Sequence, residues 1–105
     1  MPALPNANYT GKSVAASASI VLVTGSVTPQ MVLPPNSLRT GAHFFNDSNQ
    51  TVSLAAHFSA NTSFCTLRIP ASSSMQVPLV PYWGPWAAIW QTVPTTGNLL
   101  VTEFT

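Results

Sequence analysis

Proline and glycine punctuate this chain so closely that no long segment keeps a helical period free of them. There are ten prolines and five glycines, and proline disrupts helix interiors and central strands alike because it brings no N–H and a fixed φ. The best helical candidate is SVAASASIVLVT, Ser13 to Thr24. Its second half is β-branched at Ile20, Val21 and Val23, which favours an extended strand over Ser19–Thr24.

Further strands follow between turn signals. QMVL spans Gln30–Leu33 and is closed by Pro34 and Pro35, and AHFFN spans Ala42–Asn46 and is stopped by NDSN. In TVSLAAHF the alternation places Val52, Leu54 and Ala56 on one face and Ser53, Ala55 and His57 on the other. SFCTLRI, from Ser63, puts Cys65, Leu67 and Ile69 on one face. SMQVPLV puts Met75, Val77 and Leu79 together, although Pro78 confines it to an edge or a bulge. WAAIWQTV alternates Trp86, Ala88 and Trp90 against Ala87 and Ile89, and LLVTEF ends the chain after a PTTGN turn.

Seven or eight short strands and no helix predict an all-β fold. One antiparallel sheet of that size leaves a face wet, whereas two stacked sheets bury both inner faces. The expected architecture is an antiparallel β-sandwich, jelly-roll-like, over residues 13–105. Residues 1–12, with Pro2, Pro5 and Gly11, read as an extended N-terminal arm without a core of its own.

Charge narrows the function. Only 5% of residues are charged, against about 25% in an ordinary domain. Lys12, Arg39 and Arg68 are scattered, so neither a nucleic-acid surface nor polybasic membrane attachment is expected. A chain so poor in charge has little electrostatic protection against association. Much of its surface is therefore expected to be covered by other subunits; the alternative is a soluble, sparingly charged monomer. Cys65 is alone and reads as a small buried hydrophobe. The first residues lack the pattern of a signal peptide, so synthesis in the cytoplasm is expected.

Catalytic chemistry finds little purchase. Asp47 and Glu103 are the two carboxylates, and Asp47 sits in a turn where it is expected to bond its own backbone. His43, His57 and Cys65 lack the close spacing of structural zinc motifs. No nucleophile elbow and no glycine-rich phosphate loop occurs. The expectation is a non-enzyme with no catalytic residue, metal or cofactor. Four glycosylation-type matches, at Asn8, Asn46, Asn49 and Asn61, read as turn residues in a chain rich in Ser, Thr and Asn.

The segment VPLVPYWGPWAAIW is the strongest local feature. Tyr82, Trp83 and Trp86, if exposed together, form an aromatic platform for a host glycan. Alternatively, Trp86 and Trp90 fill the core while Pro81, Gly84 and Pro85 carry Tyr82 and Trp83 round the rim, as core or contact residues.

The order of features resembles a family of small bacteriophage virion proteins. The matches are Asn36, Arg39 and Gly41; Asn46, Asp47 and Ser48; Phe64 to Pro70; Val77 to Gly84; Ala88 to Trp90; and Gly97 with Val101, Thr102 and Glu103. One departure is Ala71-Ser72-Ser73-Ser74, where that pattern has a glycine-rich hairpin turn. The resemblance implies a structural β-sandwich: a head decoration (cement) protein on the major capsid protein, or a tail, fibre-base or baseplate adaptor. The head surface of the virion is the expected location and a homo-oligomer, a trimer at a local threefold position, the expected state. Pro2, Pro5 and Tyr9 of the arm, with the three aromatic residues, are the expected contacts. Arg39, Asp47, Arg68 and Glu103 are expected to be structural, with Arg39 bonding carbonyls at a sheet end and Glu103 meeting Arg39 or Arg68.

Overall fold

A computed structural model describes residues 17–77 and 82–105. They form eight strands: β1 (Ala18–Val23), β2 (Gln30–Leu33), β3 (Gly41–Asn46), β4 (Val52–Ala55), β5 (Leu67–Ile69), β6 (Ser73–Val77), β7 (Trp86–Trp90) and β8 (Leu99–Phe104). The arm expected over residues 1–12 lies outside the described residues.

All pairing is antiparallel, and it is nested. β1 pairs with β8, β2 with β7, β3 with β6 and β4 with β5. Two further ladders, β3 with β8 and β4 with β7, close the sheets. The orders are β1-β8-β3-β6 and β2-β7-β4-β5. The chain is thus one long hairpin wound into two four-stranded sheets, which is the jelly-roll arrangement of two Greek keys.

The core between the sheets follows from alternation. Phe44, Leu99 and Val101 face inward from the first sheet, and Val52, Leu54, Ile69, Trp86, Ala88 and Trp90 from the second. Phe44 and Trp86 meet edge to face at 5.0 Å between ring centroids, and Tyr82 leans on Trp86 at 5.7 Å. Such pairs add about 0.5–1.5 kcal/mol to the burial itself.

Several strands differ from the sequence expectation. β5 begins at Leu67, not at Ser63. Asn61 Oδ1 accepts the Ser63 N–H at 2.7 Å, turning the chain there, and Cys65 precedes the strand, half-buried and free. β4 ends at Ala55, where the Ala56 N–H donates to Thr66 Oγ1 instead of a ladder carbonyl. His57 therefore lies in the following loop. β4 is buried on both faces, because Ala55, Ala60 and Ala87 make a second apolar cluster on the outside of its sheet. Met75 points inward in register with Phe44 yet is 42% exposed; β6 is the last strand of its sheet, so a sandwich neighbour is missing there.

Candidate interaction surface

Two buried polar knots pin the ends of the sandwich. At one end the guanidinium of Arg39 donates from Nε to Glu103 Oε2 at 2.8 Å, from Nη1 to the carbonyls of Gly84 and Tyr82 at 2.7 and 3.1 Å, and from Nη2 to Pro34 O at 2.6 Å. Asn36 Nδ2 adds a bond to the same carboxylate oxygen at 3.3 Å. The ion pair is nearly dry, with side-chain exposures of 2% and 14%. Glu103 thus meets Arg39 and not Arg68, which is exposed and donates to Thr62 O at 2.6 Å.

At the other end Asn46 Nδ2 donates to the carbonyls of Gln50, Ile69 and Pro70. Its Oδ1 accepts the N–H and, at 2.6 Å, the hydroxyl of Ser48. Trp90 Nε1 donates to Ser48 Oγ at 3.2 Å. The turn expected of Asp47 is therefore shaped by Asn46, whose short side chain reaches its own N–H two residues on; Asp47 itself faces solvent. Asn46 is also fully buried, which removes the first residue of one glycosylation match from the surface. Gly97, at φ +81°, closes this end because a Cβ there would collide with the Asp47 carbonyl.

These knots have an electrostatic consequence. With Arg39 and Glu103 internally matched, the described surface keeps two charged side chains, Asp47 and Arg68, one of each sign. Arg68 lies on β5 and Asp47 at the Asn46 end.

The Arg39 end is different. Strand register places the β2–β3, β4–β5 and β6–β7 connections there, together with the first residues of β1 and the C-terminus. These connections carry Leu38, Phe58, Phe64 and Trp83, exposed at 72%, 64%, 82% and 56%. Among the described residues the one exposed charged side chain beside them is Arg68, whose guanidinium reaches back to Thr62 O on the β4–β5 connection. Scattered exposed apolar residues are ordinary, but a set this large on one end marks a contact surface.

The aromatic candidates separate. Trp86 is 2% exposed and belongs to the core, so it is withdrawn from the contact set. Tyr82 is half-buried, its hydroxyl donating to Pro85 O at 3.0 Å, with its ring packed over Gly84. Trp83 alone of the three is presented to solvent. A glycan platform built from all three is not formed. Pro2, Pro5 and Tyr9 lie outside the described residues. Leu38, Phe58 and Phe64 were not singled out as contacts from sequence; each stands in a polar loop, and only the strand register brings those loops to one end.

The histidines do not meet: His43 is on β3 of the first sheet, and His57 is in the loop after β4 of the second. Among the described residues no group of three or more His, Cys, Asp or Glu side chains is placed to hold a metal ion.

What these features define is a jelly-roll module with an apolar-tipped, charge-poor end. No family model matches the chain, and no curated protein or solved structure matches it either.

Proposed function

We infer that this chain is a non-enzymatic structural protein of a bacteriophage particle, attached to the head surface as a decoration protein. The observation that carries this reading is the Arg39 end, where three connections present Leu38, Phe58, Phe64 and Trp83, with Arg68 the one exposed charged side chain beside them among the described residues. Such a tip binds by burying apolar surface and neutral hydrogen-bonding groups, at about 25 cal/mol per Å² of apolar area. Seated across neighbouring coat subunits, it ties them together and raises the resistance of the shell to outward pressure. The family resemblance in the order of its motifs supports the same role. An adhesion module for host glycan is not favoured, because stacking on sugar rings draws on a row of exposed aromatics and Trp83 stands without Trp86.

The test uses assembled particles. Phage particles made with and without the chain are compared by cryo-electron microscopy and by heating. Density for the jelly roll at a fixed copy number per capsid lattice unit is expected, with its Arg39 end against the shell. Particles without it are expected to release genome at a lower temperature. Density confined to the tail or baseplate would make the chain an adaptor there. Its absence from particles altogether would overturn the reading.

A further inference from the structure

A sheet of four strands has two edges, and the two sheets together present four. Three of them are blunted. β2 has four residues between Pro29 and Pro34, with its register broken between Met31 and Leu33. β5 has three residues, one of them the charged, exposed Arg68, and is followed by Pro70. β6 turns the polar Ser74 and Gln76 outward and is followed in sequence by Pro78. Short length, proline, charge and irregular register are the devices that stop a sheet edge from recruiting another chain.

β1 has none of them. It runs for six residues, ASIVLV, without proline or charge. Ile20, Val21 and Leu22 are exposed at 70%, 44% and 59%. Among the described residues its only partner is β8, and these residues leave the N–H and C=O groups of its other edge unpaired. Ser17 O accepts the Thr105 N–H, which fixes the alternation: Ser19, Val21 and Val23 address β8, while Ala18, Ile20 and Leu22 turn their backbone groups to the free edge.

The face beside this edge is apolar as well. In register with Ala18, Ile20 and Leu22 on the outside of the sheet stand Phe104, Thr102 and Leu100, then Phe45 and His43. None of these residues joins either buried apolar cluster. Among the described residues the face carries no charged side chain, so two identical faces can approach without like-charge repulsion.

We propose that the free edge of β1 pairs antiparallel with β1 of a second copy about a two-fold axis, joining two four-stranded sheets into one of eight strands. An antiparallel edge is self-complementary, which is what a closed two-fold dimer needs. Placing the axis at Ile20 sets Ile20 opposite its own copy and Ala18 opposite Leu22, with about six backbone hydrogen bonds between the chains. The apolar outer faces then run on continuously across the join, and Val21 is covered from the side. The proposal concerns the free protein and does not rest on the virion reading. The threefold trimer expected from sequence is the competing state that the test separates from it.

The full chain is examined by light scattering and sedimentation at submillimolar concentration, where the dimer mass is expected. Ile20→Lys brings two like charges face to face across the axis, so dimer affinity is expected to fall by about tenfold or more. Its fold is checked by the emission of buried Trp86 and Trp90. In a Cys65→Ser background, Ile20→Cys is expected to give a covalent dimer on mild oxidation, because directly opposed residues of a hydrogen-bonded pair stand about 5.5 Å apart at Cα. Ser74→Cys on the β6 edge is expected to give none. A monomeric wild-type chain overturns the proposal, as does a trimer, or a dimer that survives Ile20→Lys without forming the Ile20→Cys crosslink.

Discussion

At the scale of single residues, half of the charged side chains of the described chain are matched inside it. The Arg39 guanidinium does two jobs: it neutralises Glu103 and satisfies carbonyls of Pro34, Tyr82 and Gly84 that the loops carry into the interior. Removing one member of a buried pair leaves the other uncompensated, which costs about 3–5 kcal/mol. Arg39→Met is therefore expected to lower stability by about that amount, seen as a fall in the urea midpoint. Adding Glu103→Leu removes the stranded carboxylate but not the stranded carbonyls, so it is expected to restore only part of the loss. Full restoration would mean that the carbonyl bonds contribute little. Much of this knot was legible, since an arginine beside a sheet end and a glutamate on the last strand are recognisable partners. The choice of Arg39 over Arg68 was not, because it depends on β3 and β8 being neighbours. Asn46 and Ser48 were read as turn residues; that they are buried beneath Trp90 is a fact of tertiary packing that local pattern does not carry.

At the scale of elements, alternation and turn chemistry located each of the eight described strands, because apolar period and proline stops act locally. They failed where a strand's extent depends on its partner. Ser63–Thr66 alternates well but lies outside the ladder of β5, and Ala55 looks solvent-facing but packs with Ala60 and Ala87, while Ser53 beside it is buried too. The β5–β6 turn is a sharper case. Sequence marks Ala71–Ser74 as lacking the expected glycine, and Ser72 there adopts φ +59°. That left-handed conformation costs a non-glycine residue roughly 1–2 kcal/mol, partly offset because glycine gives the unfolded chain more freedom. Ser72→Gly is thus expected to stabilise the protein by about 0.5–1 kcal/mol, raising the thermal midpoint by a few degrees. A neutral or destabilising result would show that the Ser72 side chain contributes more than its backbone strain costs.

At the scale of the whole molecule, the jelly roll sorts its surface by end and by edge. Winding one long hairpin sends alternate connections to opposite ends, so three loops far apart in sequence bring Leu38, Phe58, Phe64 and Trp83 to the Arg39 end. Those side chains do not hold the monomer together: substitution of exposed residues usually changes stability by no more than about 0.5 kcal/mol. Phe64→Ser combined with Trp83→Ser is accordingly expected to leave the thermal midpoint within a few degrees of the parent while abolishing cosedimentation with particles. The force involved can be identified separately. Ionic contacts weaken as salt shortens the Debye length from about 10 Å at 0.1 M to about 3 Å at 1 M, whereas burial of apolar surface does not weaken with salt and gives a negative heat-capacity change. If the apolar side chains and not Arg68 carry the contact, particle binding by the parent chain is expected to be unchanged or slightly strengthened from low to molar salt. A steep loss of binding over that range would place the contact on Arg68, Asp47 or the lysine of the N-terminal segment, and would remove the apolar end from the attachment.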